Sequence, residues 1–498
     1  MIACMTQKPH TMYDDFIYKG RWWMPVAKGE PTRVNGVLSV KAGAKIRLDV
    51  DGEIGPKPKF GGVVNQAQGV IHGTIDDGTS VTLLDVLWAD GHYGSAGHTR
   101  IAYIAGLCLF GAMFDGHDDV VFNEIEIQLT HLEHWAALVH PFTVEKQWNG
   151  EEQIGLTITY KYPAIIPIDL PDPKATIYFN SDVNQQESLN VSAALTHFNT
   201  IVVRPHDPTP LEKAFVLLSD LQKFFSLITG ERVFVLRFGG TVTTTRLNAA
   251  TGETIGEGDT QCDVFFSQVE QQVVDTMTGR MIFPLSVLRD DFQRTLLNWF
   301  ASMTQLRPVY DVFFGMYRTS RMYLQSRFLH LSQAVESFHR RTIGGFYLPD
   351  DQFQPIRSQM VAAIPATVDD SLRAKLKSQI RFANEPSLHK RMTAIMNGLS
   401  AATLSVICEN SGMFVSAIVD TRNYLTHLDE SSVENELEGF QLALACQKLE
   451  LLQTVLLLKH IGLAEAEVVD RIKQCRQFNV IPLVLEQKKT NALPSTIV

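Results

Sequence analysis

The residues best suited to chemistry in this sequence are Arg422, Asn423 and His427. A histidine titrates near neutral pH, so it can take a proton from an attacking hydroxyl or give one to a leaving oxygen. An arginine offers a fixed fork of donors to a phosphate and stabilises the negative charge that builds there. An asparagine can orient the histidine or bond a phosphate oxygen. These types suit metal-independent RNA cleavage, in which a ribose 2′-hydroxyl attacks the adjacent phosphorus.

The spacing of the three residues places them on one edge of a predicted helix over residues 411–428. With about 100° of rotation per residue, Asn423 lies near 100° and His427 near 140° from Arg422. Val415 and Val419 are apolar exceptions that fall on this polar side. The other apolar side chains fall on the opposite side, which predicts that this face packs in a helical core. They are Met413, Phe414, Ala417, Ile418, Tyr424, Leu425 and Leu428.

The motif contains one histidine per chain, whereas a transesterification needs both a base and an acid. Two helices that meet across a two-fold axis would bring two histidines and two arginines into one cleft. The sequence therefore predicts a homodimer, or a higher even oligomer, with a composite site.

The first part of the chain shows the alternation of β-strands. Two pairs of alternating runs flank glycine-containing turns, and each pair predicts a β-hairpin. The paired runs are Val37–Val40 with Lys45–Asp51, and Val70–Ile75 with Val81–Trp88. One long helix is predicted between Pro210 and Gly230, because apolar residues follow helical spacing there.

From Val287 onward the apolar period changes to 3.6 residues, which is typical of helices. The sequence thus predicts an α+β fold with a mostly β region over 14–290. That region would form a sheet sandwich or two β lobes with an inserted helix, with a lobe boundary near the prolines of 163–173. An all-α helical bundle follows over 300–480. The expected helices span 287–305, 309–341, 353–363, 368–381, 387–399, 411–428 and 434–461.

Composition is that of an ordinary globular chain, with 498 residues, 45% hydrophobic residues and a net charge of −10. The negative charge argues against a protein that coats nucleic acid indiscriminately. Its distribution is uneven, since residues 1–300 carry −12 and residues 301–400 carry +6. The six cysteines form no CxxC pair, and the longest apolar run, Ile101–Phe114, is too short for a bilayer. We expect a cytoplasmic protein without a membrane partner.

Several other features have two interpretations. His131 and His134, with the Asp115–Asp119 cluster, have some of the residue types of a metal site but match no HExxH pattern. Trp22-Trp23 would form either a recognition surface or, as we expect, part of the β core. A series of basic residues lines either an RNA path or a solvated helix face. The series comprises Arg340, Arg341, Arg373, Lys375, Lys377 and Arg381.

Two helical segments resemble HEPN domains. The stretch 327–341, RFLHLSQAVESFHRR, resembles their opening helix, with Glu336 at their recurrent acidic position. The stretch 420–427, DTRNYLTH, resembles their catalytic helix, and Arg422, Asn423 and His427 match its motif position by position. Glu336 would then support the site, for example by bracing Arg422 with a charge-assisted hydrogen bond.

Three N-terminal stretches resemble the N-terminal domain of the ApeA family: YKGRWWMP at 18–25, NGVL at 35–38 and VTLLD at 81–85. ApeA proteins look like bacterial anti-phage factors that fuse a β-rich region to a HEPN ribonuclease. The resemblance, over roughly 14–480, implies an abortive-infection effector that cuts host or phage RNA, tRNA included, in response to a phage-derived trigger. It implies no cofactor and no metal.

Two rival functions remain at this point. A non-catalytic HEPN domain would only bind RNA or protein. A metal-dependent nuclease would instead use His131, His134 and the Asp115–Asp119 cluster.

Overall fold

A computed structural model gives the fold of the chain as two compact units, Met1–Gln293 and Arg294–Val498. The first unit is mostly β and the second is helical, which confirms the predicted α+β class. The boundaries at 14–290 and 300–480 stay predictions. The residues that the structure describes are 10–26, 29–42, 46–54, 67–93, 99–137, 141–163, 165–188, 191–247, 254–268, 280–318, 322–427, 436–475 and 477–485.

The strands of the first unit fall into a closed ring, a larger sheet and a separate hairpin. The ring is formed by β1 (Phe16–Trp23), β2 (Val34–Val40), β3 (Ile46–Asp51), β4 (Ala67–Ile75), β5 (Ser80–Tyr93) and β6 (Thr99–Ala105). The sheet adds β7 (Leu107–Phe110), β8 (Val121–Leu129), β11 (Ile168–Pro171), β12 (Lys174–Ser188), β13 (Ser192–Pro205), β14 (Thr209–Pro210), β15 (Val235–Leu247) and β16 (Thr254–Phe266). The hairpin is β9 (Phe142–Asn149) with β10 (Glu152–Tyr160).

The ring closes because β5 pairs with both β4 and β6, while β4, β1, β2, β3 and β6 pair in that order, all antiparallel. Both predicted hairpins are confirmed within it, as β2–β3 and β4–β5. Trp22 is fully buried in the interior. A Cβ at Gly36 or Gly73 would come within 2.9 Å or 2.3 Å of its indole ring, so these strands need glycine there. The β region was expected to form a sheet sandwich or two lobes, and it instead forms a barrel that continues into a sheet.

The larger sheet joins the ring through β7, which pairs with β5 on one side and β16 on the other. From β16 the order continues through β15, β8, β13, β12 and β11. The segment 163–173, predicted as a lobe boundary, contains β11 and its turn into β12, and the boundary itself stays a prediction. The predicted long helix is α2 (Leu211–Thr229), which packs on β8 and ends where Gly230 adopts φ +75°.

The helices that complete the fold differ from expectation in three ways. The expected break between 305 and 309 is absent, because one helix runs from Phe292 to Gly315 through Pro308. The single helix expected over 309–341 breaks before Leu324, and the helices over Ala401–Ile407 and Glu465–Gln474 were not expected. The bounds are α1 (Leu132–Trp135), α3 (Leu285–Leu288), α4 (Phe292–Gly315), α5 (Leu324–Thr342), α6 (Asp350–Ala362), α7 (Asp370–Phe382), α8 (Leu388–Asn397), α9 (Ala401–Ile407), α10 (Ser411–His427), α11 (Gly439–His460) and α12 (Glu465–Gln474).

Helix α11 forms the core of the helical unit and packs against α5, α9 and α12. Among the described helices, α11 is long and apolar enough to cross a membrane, with a mean hydropathy of 1.2 over its most apolar 18 residues. Yet 72% of that 18-residue stretch is buried inside the protein. Its Lys448 is fully buried, and its ammonium donates to the carbonyls of Val406, at 2.9 Å, and Asn479. Burial lowers the pKa of Lys448 to about 8.

Glu465, the first residue of α12, joins three helices. Its carboxylate accepts hydrogen bonds from the Ser400 backbone N–H at 2.7 Å, the Thr403 hydroxyl and the Lys459 ammonium. Burial alone would raise the pKa of this carboxyl, but the hydrogen bonds outweigh it and lower the pKa from 4.5 to about 2. The carboxylate therefore stabilises the junction of α9, α11 and α12.

We predict that Glu465→Gln lowers the free energy of unfolding at pH 7 by on the order of 2–3 kcal/mol. A depressed carboxyl pKa stabilises the fold above pH 4.5, and that contribution is lost as the pH falls towards 2. Denaturant unfolding from pH 7 downwards would show the difference between Glu465→Gln and wild type shrinking with pH. The control is Glu467→Gln, an exposed carboxylate in the same turn. An equal loss in both variants would contradict the assignment.

Candidate active site

The motif lies on α10, which begins where the Asn410 side chain accepts a hydrogen bond from the Met413 backbone N–H at 3.0 Å. Phe414, Ala417 and Ile418 are buried, as the helix wheel predicts. The expected position of Val415 was wrong, because the helix wheel placed it on the polar side, whereas it is only 1% exposed. The reason is that both α5 and α8 pack against α10, so the buried arc is wider than the apolar sector.

A buried threonine ties the end of the motif helix to the chain that follows. The Thr421 hydroxyl oxygen accepts a hydrogen bond from the Leu437 backbone N–H at 2.9 Å. Thr421 is 1% exposed and Leu437 is 5% exposed. The entry to α11 is therefore fixed next to Arg422. Sequence reasoning missed Thr421, although its place on the apolar side of the wheel was a usable signal.

Arg422 and Asn423 are half-buried and touch each other. A guanidinium N–H of Arg422 donates to Asn423 Oδ1 at 3.2 Å. The Arg422 carbonyl accepts from the Thr426 hydroxyl at 2.7 Å, which reinforces the last turn. Among the residues that the structure describes, Arg422 forms no ion pair with a carboxylate. Its charge is therefore oriented by a neutral partner and stays available to an anion.

His427 is the last residue of α10, and its backbone is helical. Asn423 and His427 stand at positions i and i+4 of this helix, where Cβ atoms lie about 5–6 Å apart. The helix thus brings together the backbone positions of the motif residues on one edge of its final turn. The His427 side chain lies outside the described residues, and the catalytic roles stay predictions.

In the described structure Glu336 pairs with Arg340 and not with Arg422, and its supporting role in the site stays a prediction. Its carboxylate accepts from Arg340, one helical turn along α5, at 3.1 Å from Nε and 3.0 Å from Nη2. Arg340 also bonds Glu385, which lies between α7 and α8. A glutamate on α5 finds an arginine on its own helix because positions i and i+4 are neighbours.

Behind this pair, Arg391 of α8 is buried at 2% exposure. It donates to the Pro386 carbonyl at 3.0 Å and contacts His339 Nδ1 at 3.2 Å, and Glu385 lies 3.6 Å away. Burial, followed by the charges of Arg391 and Arg340, lowers the pKa of His339, so a neutral ring accepts the bond. This network fixes α8 against α5, the two helices that also pack on α10. Nothing in the sequence around Lys390 and Arg391 indicates that Arg391 takes part in a buried network.

Comparison with known families covers most of the chain. The description "ApeA N-terminal domain 1" matches residues 17–299, which is more than half of the sequence, and "Apea-like HEPN" matches residues 329–467. The chain belongs to the ApeA family. No curated protein and no solved structure matches it. An ApeA N-terminal domain fused to a HEPN domain suggests a defence-associated nuclease effector.

Within the HEPN domain of this ApeA protein, the basic residues that could line an RNA path fall into two groups. Arg340 is paired with carboxylates, Arg341 donates to the Gln305 carbonyl at 3.0 Å, and Arg373 donates to the Pro365 carbonyl at 2.9 Å. The second group consists of exposed residues of α7, namely Lys375, Lys377 and Arg381; Arg340 and Arg341 are exposed as well, but their side chains are bonded. Both interpretations of this group stay open.

The residues of the rival metal site lie in the ApeA N-terminal domain. His131 is buried at 6% exposure with φ +67°, and His134 is half-buried. The Asp119 carboxylate accepts from the Asp115 backbone N–H at 3.1 Å, as in a local turn. Across the described part of the chain, no group of three or more His, Cys, Asp or Glu side chains could hold a metal ion.

We predict that Glu336→Gln reduces RNA cleavage less than His427→Ala does. The amide can still accept from Arg340, and an ion pair of this i,i+4 kind contributes only about 0.3–0.5 kcal/mol. Cleavage rates and melting curves should be measured on the same preparations, with the exposed Glu409→Gln as the control. Complete loss of cleavage by a folded Glu336→Gln protein would mean that this carboxylate takes part in the chemistry.

Proposed function

We propose that this ApeA protein is a metal-independent endoribonuclease that acts in anti-phage defence. The observation that carries the proposal is the Arg422 guanidinium, which is half-buried, held by Asn423 and paired with no carboxylate of the described residues. An arginine in that state suits a phosphate, because its forked donors are oriented before the substrate arrives. The family match supports a nuclease effector in the same domain.

The proposed reaction begins with attack of a ribose 2′-oxygen on the adjacent phosphorus. His427 takes the 2′-hydroxyl proton or protonates the departing 5′-oxygen, and Arg422 neutralises charge on the phosphoryl oxygens. The products are a 2′,3′-cyclic phosphate and a free 5′-hydroxyl. Asn423, one helical turn before His427, orients the ring or bonds a phosphate oxygen.

The proposed active unit is a homodimer or a higher even oligomer. One chain provides one His427, and transesterification uses an acid and a base, so a second copy completes the site. RNA of the host or the phage, tRNA included, is the proposed substrate, and a phage-derived signal the proposed trigger. The cytoplasm is the proposed site of action.

We predict that His427→Ala abolishes RNA cleavage and phage protection while the protein stays folded. Loss of an acid–base group costs on the order of 10²–10⁴ in rate, and the upper end is expected because both copies lose it. Arg422→Ala should act similarly, and Asn423→Ala more mildly. The measurement is RNA cleavage with sequencing of the RNA ends, together with a thermal melt of each variant.

The matched control is His389→Ala, which removes an exposed histidine from α8 and should cleave like wild type. Wild-type cleavage by a folded His427→Ala protein would remove the ribonuclease proposal, and retained phage protection would then favour a binding-only HEPN domain. Cleavage that stops in excess chelator and returns with magnesium would favour the metal-dependent rival.

We predict that specific activity falls on dilution in step with dissociation of the oligomer. Mass photometry and cleavage assays over one concentration series would measure both. If the composite site is asymmetric in use, mixing Arg422→Ala chains with His427→Ala chains restores part of the activity, since a mixed dimer carries one intact copy of each group. A fully active monomer would contradict the composite site.

A further inference from the structure

The outer face of the ring in the N-terminal domain carries a groove of about 710 Å³. Its wall is built from neighbouring strands in register, because Arg21 of β1 stands opposite Thr74 of β4 and Asn35 of β2. The volume lies in the range of small-molecule sites, roughly 300–1,000 Å³. The lining residues are Lys19, Gly20, Arg21, Trp23, Arg33, Asn35, Gly36, Val37, Asp51, Thr74, Ile75 and Asp76.

Three exposed cations line this groove, namely Lys19, Arg21 and Arg33. None of them forms an ion pair with any described residue, although the first 300 residues carry a net charge of −12. Arg47, on the same face of β3, instead forms a 2.9 Å ion pair with Asp49. The groove therefore presents three cations that have no ion-pair partner among the described residues, on an otherwise acidic domain.

Arg33 is also held in place. Its guanidinium carbon lies 4.4 Å from the centre of the Trp23 ring, and Trp23 is 6% exposed beneath it. Stacking on an indole restricts the arginine without using its N–H donors, which stay free for an anion. Trp22 faces the interior while Trp23 faces the groove, because successive residues of a strand point to opposite sides.

Two carboxylates complete the groove. Asp51 lies 3.8 Å from Arg100, and Asp76 forms no ion pair among the described residues. A ligand that is only anionic would be repelled by both. A phosphorylated nucleoside fits the set better, because its phosphate suits the arginines and its ribose hydroxyls can donate to a carboxylate.

We propose that this groove binds a ribonucleotide, with its phosphate on Arg21 and Arg33 and a ribose hydroxyl on Asp76. The groove holds one such unit by volume, and the surrounding negative charge disfavours a long RNA strand. This site is separate from the proposed nuclease chemistry and would stand if that chemistry failed.

The test is calorimetric titration of the full chain with each of the four ribonucleoside triphosphates, and with a short oligouridine. At least one triphosphate should bind, and Arg21→Ala and Arg33→Ala should each weaken it on the order of 10-fold or more. Arg47→Ala removes one charge from the same face outside the groove and should leave binding unchanged. Melting curves should show that these exposed substitutions leave the fold intact.

A second measurement tests the ribose contact. Wild-type protein should bind the ribonucleotide more tightly than its 2′- or 3′-deoxy form, and Asp76→Asn should reduce that preference, which a merely structural role would not do. The proposal is overturned if no triphosphate binds, if Arg47→Ala weakens binding as much as Arg21→Ala, or if only the oligouridine binds.

Discussion

Burial of α11 over most of its length is the constraint on which the helical unit depends. Most of its residues from Leu442 to Leu458 are buried, so other helices have to cover it from several directions. α5 packs on α11 and also on α8 and α10, and it thereby connects the core to the motif helix. The position of Arg422 thus depends on a helix that carries none of the motif residues.

Several charged groups inside this unit are bonded to other groups of the same unit, and those bonds hold helices together. Lys448 donates to two backbone carbonyls, and Glu465 accepts from groups on two other helical segments. Arg391 of α8 donates to His339 of α5 and so joins these two helices. Because a buried charge is costly unless it is bonded, each of these residues fixes the separation of the segments it joins.

The N-terminal domain uses one strand for two purposes. Trp22 fills the ring and requires glycine at neighbouring strand positions, whereas Trp23 on the opposite side supports Arg33. The two tryptophans were expected in the β core, and both are buried, but on opposite sides of the strand. Strand geometry gives adjacent residues different environments, so a single short motif serves both the packing of the barrel and the surface of the groove.

The sequence by itself determined the local features of this protein. Apolar periodicity predicted α2, α10 and the β2–β3 and β4–β5 hairpins, because such patterns depend only on residues close in the chain. The order of Arg422, Asn423 and His427 likewise placed them on one helix edge. Tertiary structure decided what depends on distant residues: closure of the ring through β5 and β6, burial of Val415 on a helix that packs against both α5 and α8, and the bond between Arg340 and Glu385. Partners far apart in the sequence leave no periodic signal, so only the folded chain reveals them.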